Sequence, residues 1–129
     1  MLMRISHLDH LVITVADSER TVRFYRDIMG MTIEVFGDNR LAIRFGDQKI
    51  NVHVAGREFQ PHALSPAPGS ADLCFISPVP VEDIIAGLKR DGMTIELGPV
   101  QRTGALGAVT SVYIRDPDGN LIEIANQTP

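Results

Sequence analysis

At 129 residues, with 44% apolar and 22% charged side chains, the chain has the make-up of one folded domain with a real core. The formal charge of −4, with no Lys/Arg run, argues against a nucleic-acid surface, and no apolar run approaches membrane-spanning length. One cysteine, Cys74, cannot make an internal disulfide, and Met1-Leu2-Met3-Arg4 has no signal-like apolar block, so the expectation is a cytoplasmic protein.

His10 to Val15 reads as a strand from its β-branched content. Asp17-Ser18 is a helix N-cap signal, and Val22, Tyr25 and Met29 recur at helical spacing before Gly30, a natural C′ residue. Three short strands follow, 31–36, 41–45 and 49–54, joined by the turn signals Gly37-Asp38-Asn39 and Gly46-Asp47. Residues 56–70 hold Pro61, Pro66, Pro68 and Gly69 without periodicity and read as a Pro-rich linker, long enough to act as a lid.

The pattern then repeats. Residues 71–76 form a strand. Pro80 opens a helix with Val81, Ile84, Ile85 and Leu88 on one face, and Gly92 ends it. Strands are expected at 94–97, 111–115 and 121–125, with a flexible loop at 101–107. In the last turn, Asp116-Pro117-Asp118-Gly119-Asn120, Pro117 suits the first central position and Gly119 can take positive φ. Gly30-Met31-Thr32-Ile33-Glu34 matches Gly92-Met93-Thr94-Ile95-Glu96 residue for residue, each where a helix gives way to a strand. The chain is therefore read as a single α+β domain of two tandem βαβββ modules, about 8–55 and 71–126, forming mixed sheets.

The repeat selects candidate site residues. Its offset of 62 carries His10 onto Asp72. The match of Val52-His53-Val54-Ala55 with Ile122-Glu123-Ile124-Ala125, at an offset of 70, pairs His53 with Glu123. A carboxylate such as Glu123, in an apolar strand, is expensive to bury unless paired or metal-bound. His10, His53, Asp72 and Glu123 thus form the expected ligand set if two similar modules face one another. Two imidazoles and two carboxylates suit Zn, Ni, Co, Mn or Fe(II). The ordinary readings stand beside this one. His53 shares a strand face with Lys49 and Asn51, Asp72 follows a linker, and Cys74 lies between Leu73 and Phe75 as a core residue would.

Three stretches carry a family resemblance: Asp9-His10-Leu11-Val12-Ile13-Thr14-Val15, the helix through Phe24-Tyr25 to Gly30-Met31, and Asp116-Pro117-Asp118-Gly119-Asn120-Leu121-Ile122-Glu123. Over essentially its whole length the chain resembles the vicinal oxygen chelate superfamily, which includes glyoxalase I, bleomycin and fosfomycin resistance proteins and extradiol dioxygenases. It is most similar to small glyoxalase-domain proteins labelled virulence-associated. The resemblance implies the glyoxalase/bleomycin resistance/dioxygenase fold with cupped sheets. It implies that His10 and Glu123 match metal positions on the first and last strands, that His53 falls on the fourth-strand position, and that Asp72 stands where many members carry histidine. The implied function is a metal-dependent, glyoxalase-like lyase or isomerase acting on a small α-oxygenated substrate. On the residues themselves, Glu123 and then Asp72 are the candidate catalytic carboxylates, and Arg102, in a loop of small residues, reads either as closing over an anionic substrate or as an ordinary exposed arginine. The alternatives are a metal-free drug- or metabolite-binding protein and an Fe(II) ring-cleaving dioxygenase. The superfamily's habit of pairing modules implies a homodimer, with sites within or between subunits.

Overall fold

The computed structural model describes residues 2–129 and divides into two compact units, 1–67 and 68–129. Each unit is a mixed four-stranded sheet with one helical segment, in the order βαβββ.

In the first unit β1 is His10–Val15, β2 Thr32–Phe36, β3 Arg40–Phe45 and β4 Gln48–Val54. The spatial order is β1-β4-β3-β2, with β1 parallel to β4 and the other pairs antiparallel. The helix α1, Ser18–Arg23, starts where expected: the Asp17 side chain accepts from Glu19 N at 2.9 Å and Arg20 N at 3.3 Å. It then widens into a π turn over Phe24–Ile28, closed by Met29 N donating to Phe24 O. Phe24 and Tyr25 are consecutive, yet both are buried, edge to face at 4.8 Å. Together with Ile13, Val15, Ile43, Ile50 and Val52 they make the first core.

The second unit repeats the order as β5-β8-β7-β6. Here β5 is Asp72–Ile76, β6 Leu97–Gly104, β7 Gly107–Arg115 and β8 Leu121–Gln127. The helix α2, Val81–Arg90, packs on β7 and β8. Asn126 ties its start to the sheet: its Oδ1 accepts from Val81 N at 2.7 Å, and its Nδ2 donates to the carbonyls of Ser77 and Val79. No helix among the described residues is long and apolar enough to cross a membrane.

Two sequence expectations change here. The strand expected at 94–97 begins only at Leu97, and the flexible loop expected at 101–107 is instead the β6–β7 hairpin, with Arg102 opposite Val109 and Gly104 opposite Gly107. The stretch lacks apolar alternation because much of it is exposed, so periodicity did not reveal it.

Candidate functional site

Strand pairing decides which side chains stand together, because neighbours in register share a sheet face. In the first unit His10 lies beside Lys49, Val12 beside Asn51 and Thr14 beside His53. Ala42 and Arg44 continue that face on β3. His10 is half-exposed, and its Nδ1 sits 2.8 Å from Asp9 Oδ2. The hydrogen bond to His10 holds the Asp9 carboxyl below its ordinary value. It also fixes the ring so that Nε2 is the nitrogen presented to a ligand, the usual arrangement for a metal-binding histidine.

Two polar side chains on this face are buried without full hydrogen bonding. Asn51 is 6% exposed and its Oδ1 has no partner in the chain. His53 is 3% exposed and the same holds for its Nε2. Burial, with Arg40 nearby, lowers the His53 pKa. Phe59, from the linker, meets the His53 ring edge to face at 5.7 Å.

In the second unit Asp72 lies beside Leu121 and Cys74 beside Glu123, with Tyr113 across from Glu123 on its other side. Ser111, wholly buried, donates its hydroxyl to Glu123 Oε2 at 2.5 Å. Cys74 is exposed rather than in the core, and its thiol lies within hydrogen-bonding reach of Glu123. The thiol is pushed up to about 11 by burial, by the charge of Glu123 and by that hydrogen bond. Asp72 is exposed on the same face, two positions along β5 from Cys74. Arg102 sits in the hairpin, donating Nε to Tyr113 Oη at 3.1 Å, so it reaches the Glu123 face through Tyr113.

The registers correct one equivalence. With His10 matched to Asp72, their partners Lys49 and Leu121 correspond, at an offset of 72. The same offset carries Asn51, not His53, onto Glu123. The repeated ion pairs agree: Arg44 with Glu34 at 2.6 Å, Arg115 with Glu96 at 2.9 Å, each arginine beside the matched strand position. The apolar letters that suggested an offset of 70 recur every second residue in any strand, so a slip of two preserves the pattern and changes the partner. His53 stands four positions along the sheet from the level of His10, about 13 Å. Two imidazoles, short and rigid, rising from one sheet do not converge on one ion across that gap.

The donors therefore come as two pairs, His10 with Asn51 and Asp72 with Glu123. Among the described residues no three of His, Cys, Asp or Glu gather within reach of one ion. The chemistry of the pairs nevertheless fits a divalent cation: an imidazole oriented by a carboxylate, a buried carbonyl oxygen lacking a donor, and two carboxylates on one face. Sequence reasoning missed Asn51, Ser111 and Tyr113. Asn51 was recoverable by counting the strand pairing back from His10, whereas Ser111 and Tyr113 needed the β7–β8 register.

The comparisons with known proteins agree with this architecture. Residues 7–124 match the model of the Glyoxalase/Bleomycin resistance protein/Dioxygenase superfamily. The chain is 52% identical over 123 residues to Virulence protein STM3117 of Salmonella typhimurium, covering 95% of this chain and 85% of that one. It is 48% identical over 124 residues to the glyoxalase domain-containing protein RDO1 of Mycosarcoma maydis, covering 96% and 70%. Among solved structures, the integron cassette protein VCH_CASS1 from the mobile metagenome of V. cholerae superposes with a TM-score of 0.96 at 53% identity, over 99% of this chain and 100% of that one.

Proposed function

Because the chain belongs to the Glyoxalase/Bleomycin resistance protein/Dioxygenase superfamily, we propose that it is a metal-dependent lyase or isomerase acting on a small α-oxygenated molecule. The observation that carries this reading is Glu123: a part-exposed carboxylate held at one oxygen by a buried serine, on the same sheet face as Asp72. His10, Asn51, Asp72 and Glu123 would hold the ion, with Zn, Ni, Co, Mn and Fe(II) all compatible with the mixed nitrogen and oxygen donors. When bound, such an ion supplies Lewis acidity toward two neighbouring substrate oxygens.

The chain's own residues then have distinct tasks. Ser111 holds Glu123 Oε2 and so orients the carboxylate that would take or return a proton at the carbon beside the substrate oxygens. Asp72 is the second candidate for that proton. Arg102, steadied by Tyr113, offers positive charge to an anionic substrate at the same face. We leave His53 out of the proposed ligand set, because it stands four positions along β4 from the residue that pairs with His10.

The test is elemental analysis of freshly purified protein, followed by activity on α-oxygenated substrates before and after chelation. One ion per site, with activity lost on chelation and restored by metal, supports the reading. Full activity after complete metal removal would sink it, as would stoichiometric ligand binding without turnover. Oxygen consumption with a catechol-like substrate would point to the dioxygenase alternative. Glu123→Gln is expected to cut turnover by about 100-fold or more, as for loss of a general base, while leaving the melting temperature nearly unchanged.

A further inference from the structure

The orphaned nitrogen of His53 has no role in the ligand set, yet a buried polar atom without a partner costs stability. Its surroundings belong wholly to the first unit and carry unusual charge. Arg40 lies over two rings, with its guanidinium carbon 4.6 Å from the centroid of Phe59 and 5.3 Å from that of Phe36. Lys49 Nζ lies 3.7 Å from the Phe36 centroid. Phe59 in turn packs against His53. Neither Arg40 nor Lys49 joins an ion pair among the described residues. Glu58, the acidic neighbour that bears on His53, is engaged by the Gly56 amide, at 3.1 and 3.0 Å from its two oxygens. An aromatic face orients a cation without cancelling its charge, whereas a carboxylate would neutralise it. The rings thus hold Arg40 and Lys49 around Phe36, and Arg40 over the Phe59 ring that packs on the buried imidazole, and leave the positive field available.

We propose that Arg40, Lys49 and His53 form a subsite for a small oxyanion, a carboxylate or a phosphate, carried by the substrate. Pairing sets Lys49, Asn51 and His53 on one face of β4, with Arg40 on the same face through its β2 partner Phe36 and the β3–β4 register. His53 is two residues, about 7 Å, along β4 from Asn51. The substrate therefore carries its charged group several bonds from the oxygens that face His10. Phe59, 38% exposed and placed on the linker, covers His53 and must shift to admit the anion. The assignment rests on the reading of this face as the substrate face and names the substrate class: an anionic small molecule rather than a neutral one.

The experiment is an NMR titration of the chelator-treated protein with benzoate, benzamide and inorganic phosphate, following the His53 ring and Phe59 signals. Saturable shifts with benzoate but not benzamide assign a carboxylate, and shifts with phosphate alone assign a phosphoryl group. Arg40→Met and Lys49→Met keep the hydrocarbon stems and should each weaken binding about tenfold, the scale of one charge-assisted contact. His53→Leu should raise the melting temperature, as for any buried orphan, and also weaken binding by about the same factor; the loss of binding is what a purely structural histidine would not produce. If neither anion moves His53, or the two methionine variants bind as the parent does, the proposal is overturned. With the metal removed, that failure leaves the role of Glu123 untouched, and an inactive metal site leaves the anion titration readable.

Discussion

Glu123 and its three neighbours define the chemistry at the scale of single residues. Ser111 and Cys74 both turn hydrogen toward one carboxylate, and the cost of that arrangement is visible on the cysteine. With the thiol pushed up to about 11, Cys74 is protonated at pH 8 despite its exposure. Thiolate is the reacting form, but a more basic thiolate attacks faster, so alkylation by iodoacetamide should run about tenfold slower than for a free thiol. Glu123→Gln removes the charge and should accelerate the reaction, measured by mass spectrometry over time. An unchanged rate would show that the carboxylate does not govern the thiol. The sign for stability follows: a raised thiol pKa contributes fully below the ordinary thiol value, and the contribution fades as pH climbs toward 11. Asn51 makes the complementary case. Its unpartnered Oδ1 is a defect for the fold and a donor for an ion. Asn51→Leu should raise stability by about 1–2 kcal/mol, the cost of one buried orphan, and weaken metal binding, which thermal melts with and without metal would separate.

At the scale of elements, the turn before β8 places Glu123. Asp116 Oδ1 accepts from the backbone of Asp118 and Asn120, and Asp116 Oδ2 accepts from Asn120 Nδ2 at 2.7 Å. Asn120, almost fully buried, then reaches across with its Oδ1 to Ala71 N at 2.8 Å, fixing the start of β5 beside the start of β8. One side chain thus sets the relative level of Asp72 and Glu123. Asn120→Ala removes both side-chain bonds, one of them to a carboxylate, so a loss of roughly 3 kcal/mol is expected in urea unfolding. A change under 1 kcal/mol would contradict that account. Gly98 guards the other side of Glu123: it takes φ +124, and a Cβ there would lie 2.6 Å from Ser111 O, so any larger residue pushes β6 off the strand that carries the serine. These elements also show what the sequence revealed. The turn, both helix starts and the duplicated order were legible because Pro117, Gly119, Asp17 and Pro80 act locally. The partner of Glu123 was not, because register depends on hydrogen bonds between distant strands, and alternating apolar residues look the same after a slip of two.

For the whole molecule, duplication means that each unit supplies half a donor set: His10 and Asn51 from one, Asp72 and Glu123 from the other. The proposed function requires both halves at one ion, from one chain or from two. The sheets leave β1 and β2, and β5 and β6, as edge strands, and the donor faces carry Val12 at 46% and Ile76 at 51% exposure. Exposed edges and apolar residues on a ligand face favour covering by a second copy, so a homodimer is expected. Two inactive variants test how the halves are shared. His10→Ala and Glu123→Ala homodimers, unfolded together and refolded as an equal mixture, form heterodimers for half of the dimers if mixing is random. If each ion draws its two pairs from different chains, every heterodimer holds one intact site and one doubly defective site, and the mixture regains about a quarter of the parent activity. If each ion is served by a single chain, every site keeps one defect and nothing is regained. The exchange of halves between subunits is the expected outcome. A mixture no more active than its components, with heterodimers verified by mass spectrometry, would assign both pairs to the same chain.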